Sequence, residues 1–133
     1  METQTPKWMR WTGWVLTALF TLFLLMDASM KVIKAQVVID TTAKMQLPES
    51  MIVPIGVIEL ACLALYLWPR TAVLGAVLFT GVMGGAISAH WRLGDPLFSH
   101  VLFGVYLGAV MWGGLWLRDA RLRSVIPFRR PQA

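Results

Sequence analysis

Apolar residues along this chain fall into four long runs, separated by short polar stretches. The runs extend over residues 11–33, 51–68, 71–91 and 97–117. Each run is close to the roughly 20 residues that a helix needs to cross a hydrocarbon core of about 30 Å. The first run is longer than the apolar part of a signal peptide and lacks an Ala-x-Ala-like cleavage site, so we expect a retained helix. The pattern predicts an all-α integral membrane four-helix bundle that forms one domain over residues 1–133.

The links between the runs differ in character. Trp68-Pro69-Arg70 is typical of a tight turn, and so is the stretch 92–96 with its Gly and Pro. These turns predict antiparallel hairpins of neighbouring spans. Residues 34–50 mix apolar and charged side chains, which suits either a short helix at the membrane interface or an ordinary loop.

Composition agrees with a membrane location. Of the 133 residues, 57% are hydrophobic and 14% are charged, against roughly 45–50% and about 25% in soluble domains. A soluble globule of this size could not bury so much apolar surface. The net charge of +5 does not indicate nucleic-acid binding, because the basic residues lie at the ends of the runs and form no stripe. The lone Cys62 excludes an internal disulfide and dithiol chemistry within one chain.

The distribution of basic residues predicts the orientation. Eight of them lie on the side of the termini and four on the other side. The eight are Lys7, Arg10, Arg70, Arg118, Arg121, Arg123, Arg129 and Arg130; the four are Lys31, Lys34, Lys44 and Arg92. By the positive-inside rule both termini are cytoplasmic, in the inner (plasma) membrane, and residues 118–133 form a basic cytoplasmic tail.

Two carboxylates interrupt the apolar runs. An ionisable group at mid-membrane costs about 2.5–3.5 kcal/mol on insertion scales, so Asp27 and Glu59 need a reason to be there. Asp27 and Lys31 are four residues apart on one helix face and are able to pair. Glu59 lies about half-way along the second run, with no cation in reach on its own helix. Glu59 is therefore the stronger functional candidate.

The other polar candidates lie where the third and fourth runs meet. His90 and Arg92 close the third run, Asp95 lies in the turn, and His100 opens the fourth. Given the orientation, all these groups converge in the outer half of the bundle, which predicts a polar pocket open to the outside. The purely structural alternative pairs Asp27 with Lys31, satisfies Glu59 from Tyr66 or a neighbouring helix, and leaves the histidines at the interface. The spacing of His90, Asp95 and His100 matches no metal-ligand pattern, and no metal site is predicted.

The order of several short motifs resembles the DoxX-like family of small four-span bacterial membrane proteins, over about residues 11–117. The motifs are Ser29-x-Lys31, Glu59-Leu60-Ala61, Leu67-Trp68-Pro69-Arg70 and Gly85-Ala86-x-x-Ala89-His90-x-x-x-Gly94-Asp95. The resemblance implies a four-helix membrane bundle. Some members of the family are small subunits of a thiosulfate:quinone oxidoreductase or belong to membrane oxidoreductase complexes. Lys31, Glu59 and His90 match the polar positions of the family, whereas Asp27 does not.

Three functions are compatible with these features. The first is an accessory subunit that binds a quinone or another hydrophobic molecule for a membrane oxidoreductase partner. The second is a membrane-embedded enzyme in which Glu59 and His90 transfer protons on a lipophilic substrate. The third is a small transporter. The candidate site residues are Glu59 and His90 as catalytic groups, and Asp27, Lys31, Arg92, Asp95 and His100 as ligand-binding groups.

Two small-residue patterns also predict close packing of helices. Gly81 and Gly85 lie one turn apart in the third run, and Gly104 and Gly108 do so in the fourth. Such a face lets helices of one chain touch, or it leaves room for a ligand. It also allows two chains to form a homodimer.

Overall fold

The computed structural model describes residues 4–129 and 131, and over these residues it is helical without strands. The helices are α1 (Lys7–Val32), α2 (Gln36–Lys44), α3 (Ile52–Leu67), α4 (Ala72–Leu93), α5 (Phe103–Arg118) and α6 (Ala120–Arg123). A 3₁₀ turn, Glu49–Met51, leads into α3, and a π-helical segment, Leu97–Val101, leads into α5. Of the predicted tail and its basic residues, Arg130 and residues 132–133 lie outside the described residues.

Four helical segments are long and apolar enough to cross a membrane. They are Lys7–Val32, Glu49–Leu67, Ala72–Leu93 and Leu97–Arg118. Large apolar side chains such as Leu22 and Val77 are exposed on the outside of the bundle. The predicted all-α fold with four spans is thus confirmed, and the chain is a multi-pass membrane protein whose outer surface contacts lipid.

The four spans form a ring. Helix α1 packs against α3 and α5, and α4 packs against the same two helices from the other side. The centre holds Phe20, whose ring makes edge contacts with Tyr66 at 5.2 Å and with Phe79 at 5.3 Å between centroids. We call the end of the bundle with Arg10, Arg70 and Arg118 the arginine end. The opposite end, with His90, Asp95 and His100, is the histidine end.

Glycines set the closest helix contacts. A Cβ on Gly75 would lie 2.4 Å from the amide nitrogen of Tyr66, so α3 and α4 meet backbone to backbone. A Cβ on Gly56 would lie 2.8 Å from Cβ of Lys31 and 3.0 Å from the carbonyl oxygen of Ala28. Gly56 therefore brings α3 directly against the last turns of α1, where two of the candidate polar residues lie.

The two predicted small-residue faces have different surroundings. Gly104 packs against Ile87, and Gly108 lies near Met83, so the face on α5 brings it close to α4. At Gly81 and Gly85 a Cβ would meet no atom of the described residues within 4 Å. This face of α4 packs against none of the described residues, and the homodimer stays a prediction.

The helix ends differ from the apolar runs that predicted them. Helix α1 begins at Lys7, before the first run, because helical backbone continues through interfacial residues that hydropathy leaves out. The connection at residues 34–50 contains α2, in agreement with the helical alternative. The fourth span begins with the π-helical segment, and Gly94, with a φ of 71°, supplies the left-handed residue that ends α4.

Candidate functional site

Two carboxylates and one ammonium group form a cluster between α1 and α3, which we call the Lys31 cluster (Asp27, Lys31 and Glu59). Nζ of Lys31 donates hydrogen bonds to Oε1 of Glu59 at 2.7 Å and to Oε2 at 2.9 Å. The same Nζ also donates to Oδ2 of Asp27. One lysine therefore joins a carboxylate of its own helix to a carboxylate of the neighbouring helix.

Local sequence explains half of this arrangement. Asp27 and Lys31 are four residues apart in the last turns of α1, so their side chains lie on one face. Glu59 reaches the same ammonium group from α3 because Gly56, one turn earlier, allows the two helices to approach. The sequence pattern predicted the first pair but carried no signal for the contact across helices.

The three side chains differ in exposure. The exposed fraction is 29% for the Asp27 side chain, 21% for Lys31 and 7% for Glu59. Lys31 has three N–H donors, and these match its three acceptors in the cluster. Among the described residues, Oδ1 of Asp27 accepts no hydrogen bond. Asp27 is thus the most exposed side chain of the cluster, and its Oδ1 is able to accept a hydrogen bond.

A second polar group, the histidine cluster (His90, Asp95, His100), lies at the histidine end. Nδ1 of His90 lies 2.6 Å from Oδ2 of Asp95, and the two imidazole rings are 5.8 Å apart between centroids. The left-handed turn at Gly94 returns the chain so that the amide of Asp95 donates to the carbonyl oxygen of His90 at 3.2 Å. Asp95 thereby holds one ring nitrogen of His90, which leaves Nε2 of His90 for another partner.

The residues predicted to share one polar pocket form separate hydrogen-bonded groups in the structure. No hydrogen bond or ion pair in the described part of the chain joins the Lys31 cluster to the histidine cluster. Arg92 belongs to neither, because its guanidinium donates to the carbonyl oxygen of Met45 at 3.2 Å. These polar groups therefore lie at different heights along the axis of the bundle.

Glu59 and His90 share no direct hydrogen bond among the described residues. Gly75 of α4 lies against Cys62, so Glu59, one turn before Cys62, is level with about Phe79 in the antiparallel α4. His90 lies farther along α4 by roughly 16 Å at 1.5 Å per residue. Sequence reasoning placed both residues in the outer half but could not assign the register of α3 against α4.

The structural alternative gives Glu59 a donor from Tyr66 or from a neighbouring helix, and the structure agrees with the second of these. The hydroxyl of Tyr66 donates to the carbonyl oxygen of Met111 at 2.7 Å, not to Glu59. This bond joins α3 to α5 deep in the bundle, where Tyr66 is only 1% exposed. Glu59 takes its hydrogen bonds from α1 instead.

A partly buried arginine at the opposite end, Arg118, was not singled out from the sequence as a functional residue. The guanidinium carbon of Arg118 lies 4.5 Å from the centroid of a Trp14 ring and 5.2 Å from that of Tyr66. Its Nε donates to the hydroxyl of Thr17 at 3.1 Å, and its Nη2 is buried without a hydrogen-bond partner among the described residues. The only signal in the sequence was a basic residue at the end of an apolar run, which equally fits a topology anchor.

Metal ligation has no support in this geometry. Within residues 4–129, no group of three or more His, Cys, Asp or Glu side chains is placed to hold a metal ion. The histidine cluster in particular contains one hydrogen-bonded His–Asp pair and a second ring in edge contact.

Comparison with known proteins gives one match. The sequence model of the DoxX-like family matches residues 15–114, well over half of the chain. The matched stretch contains both polar clusters and most of all four spans. No curated protein and no solved structure matches the chain significantly.

Proposed function

This chain belongs to the DoxX-like family, and on that premise we propose that it is an accessory membrane subunit that binds a quinone, or another hydrophobic small molecule, for an oxidoreductase partner. The polar end of the site is the Lys31 cluster. The observation that supports this proposal is the Asp27 side chain, which is 29% exposed and whose Oδ1 has no hydrogen-bond partner among the described residues, beside an ammonium group whose donors are already used. When bound, a quinol supplies two electrons and two protons to the partner.

The hydrogen-bonding groups of the cluster favour the reduced form of such a ligand. A quinone carbonyl needs a donor, and the three donors of Lys31 are engaged. A quinol hydroxyl is itself a donor, and a bond to an ionised carboxylate is stronger than one between neutral groups. Met26, next to Asp27, is 55% exposed on the lipid-facing side of α1. A membrane-soluble ligand therefore reaches Asp27 laterally, with its apolar part against α1.

The test uses the full chain in lipid nanodiscs with decylubiquinol and decylubiquinone as probes. We expect the quinol to raise the unfolding temperature more than the quinone does, and Asp27→Asn to remove the difference. Asp40→Asn is the matched control, since Asp40 lies on α2 and is bonded to Gln36 away from the cluster. The proposal fails if neither probe stabilises the protein, or if Asp27→Asn responds like the unmodified chain.

The orientation belongs to the same proposal. The excess of basic residues at the arginine end, eight against four, supports a cytoplasmic location of this end in the inner membrane. Two exposed residues test it after Cys62→Ala removes the native thiol: Thr41→Cys on α2 and Ser124→Cys beyond α6. A membrane-impermeant maleimide added to intact cells should label only Thr41→Cys, and labelling of only Ser124→Cys would reverse the orientation.

The His90–Asp95 pair favours a second candidate function, a proton-transfer enzyme acting on a lipophilic substrate. Asp95 fixes Nδ1 of His90, so Nε2 is free to accept a proton from a substrate carbon or oxygen. In this version His90 acts without Glu59, which lies at another level of the bundle. The test is incubation with a total membrane-lipid extract in D₂O. Deuterium bound to lipid carbon is expected with the native chain and not with His90→Gln, and its absence from both overturns this function.

A further inference from the structure

We propose that the arginine end carries a binding site for one anionic phospholipid, with an acyl chain in an apolar cavity beside α5 and the phosphate among the arginines that follow it. This site is remote from both polar clusters and independent of the function proposed above. It uses the C-terminal segment, to which the function proposed above assigns no ligand.

The cavity lies between the last two turns of α5 and the segment that folds back on them. Its volume is about 420 Å³, within the range of small-ligand sites, which is roughly 300–1,000 Å³. It is lined by Trp112, Gly113, Trp116, Leu117, Leu122 and Ile126. Because this wall is apolar, water finds no hydrogen-bond partners there, and a hydrocarbon chain is the favoured occupant.

The wall formed by the C-terminal segment is held by specific hydrogen bonds. Nη1 of Arg123 donates to the carbonyl oxygens of Trp116 and Leu117, each at 2.8 Å. The indole N–H of Trp116 donates to the carbonyl oxygen of Ile126 at 2.9 Å. These bonds satisfy the carbonyl groups at the end of α5, so the polar backbone does not face the cavity. The segment is therefore fixed as an apolar lid over the last turns of a membrane span.

The charged residues next to this wall favour an anionic lipid headgroup. Residues 117–129 contain four arginines, Arg118, Arg121, Arg123 and Arg129, and one carboxylate, Asp119. Oδ1 of Asp119 already accepts from the amides of Arg121 and Leu122, at 2.8 and 3.3 Å. Arg121 and Arg129 are exposed, and their guanidinium groups have no partner among the described residues. Arg121 and Arg129 are one and three residues in sequence from the lining residues Leu122 and Ile126. Two such arginines and an apolar cavity match a phosphate with an attached acyl chain.

A lipid fits this site better than a second protein chain does. A stable protein interface uses about 20–30 residues on each partner, which is far more than the six residues that line this cavity. The position also suits a lipid, because Trp112 and Trp116 lie where the apolar span gives way to the arginines, at the depth of headgroups and upper acyl chains. Free inorganic phosphate would use the arginines but leave the cavity empty.

The test measures lipid retention by the full chain in detergent micelles. Palmitoyl-oleoyl phosphatidylglycerol and phosphatidylcholine, which share their acyl chains, are added in equal amounts. Bound lipid is counted by native mass spectrometry. We expect one phosphatidylglycerol to be retained and to raise the unfolding temperature, with phosphatidylcholine retained much less. Equal retention of the two lipids, or equal stabilisation by inorganic phosphate alone, overturns the proposal.

Two variants separate the headgroup from the acyl chain. The double variant Arg121→Gln/Arg129→Gln should weaken retention of phosphatidylglycerol by roughly fivefold for each arginine removed. Lys34→Gln/Lys44→Gln removes the same charge at the histidine end and should leave retention unchanged. Ile126→Trp fills the cavity while keeping the backbone bond to Trp116, and it should lower retention of phosphatidylglycerol without any change of charge. Native retention in both site variants, an equal loss in the lysine control, or a dimer in place of the lipid-bound monomer contradicts the site.

Discussion

The two ends of the bundle each contain a mostly buried cation, but they stabilise it in different ways. Near the histidine end, Lys31 is bonded to two carboxylates, and the side chain of Glu59 is only 7% exposed. At the arginine end, Arg118 lies against the rings of Trp14 and Tyr66 and donates to the hydroxyl of Thr17. In the described residues, no carboxylate pairs with Arg118.

The difference follows from the two side chains. An ammonium group is compact and strongly hydrated, so it enters the bundle only where oxygen atoms replace its water. A guanidinium group is planar and weakly hydrated, so aromatic faces stabilise it. As a result the Lys31 cluster contains two acidic groups for one basic group, whereas the arginine end keeps its positive charge. The first therefore suits a hydrogen-bond donor as ligand, and the second suits an anion.

The largest effect is expected for Lys31→Met. This change leaves the carboxylates of Asp27 and Glu59 facing each other without their shared cation. Removing one partner of a buried ion pair costs about 3–5 kcal/mol of the free energy of unfolding. Cys62 is 4% exposed, so its reaction with a thiol-reactive dye during heating reports unfolding.

The matched control for that variant is Lys34→Met. Lys34 pairs with Glu49, but both side chains are largely exposed, at 44% and 55%, so the loss should stay below roughly 1 kcal/mol. If Lys31→Met were no more destabilising than Lys34→Met, the cluster would contribute nothing to folding, and the contrast between the two ends would disappear.

A smaller effect is expected for Arg118→Met, although Arg118 is also mostly buried. The change removes one hydrogen bond and the contacts with two rings, but it leaves no charged group without a partner. Thr17 keeps its bond to the carbonyl oxygen of Gly13 at 2.8 Å. It also removes the unpartnered Nη2. We expect a loss of about 1–2 kcal/mol, measured by the same thiol assay. A loss as large as that of Lys31→Met would mean that Arg118 has a counter-ion.

Sequence alone predicted the part of this molecule that depends on periodicity and hydropathy. The four spans, the all-α fold and the pair Asp27–Lys31 follow from apolar runs and from the i, i+4 spacing within one helix. The family resemblance is confirmed as well. Each of these features is encoded within a short stretch of chain or in the order of such stretches.

Specific contacts between helices could not be predicted from the sequence. The bond from Lys31 to Glu59 depends on the approach at Gly56, and the distance from Glu59 to His90 depends on the register set at Gly75. A glycine in an apolar run is equally compatible with close packing and with open space, as Gly75 and Gly81 show. Arg118 was missed for a related reason, since its ring partners come from α1 and α3.

The smallest loss of stability is expected for Asp27→Asn. This variant tests whether the two carboxylates of the Lys31 cluster have separate roles. Asp27 is 29% exposed, and without its charge Lys31 still donates to both oxygens of Glu59. The loss of unfolding free energy should therefore be about 0.5–1 kcal/mol, and Glu59→Gln should cost more because its side chain is more deeply buried. If the order of these two variants were reversed, Asp27 would be the structural partner of Lys31 and Glu59 the group left for a ligand. If the expected order holds, loss of quinol stabilisation in Asp27→Asn reports binding and not unfolding, because the fold that holds the cluster is then nearly intact.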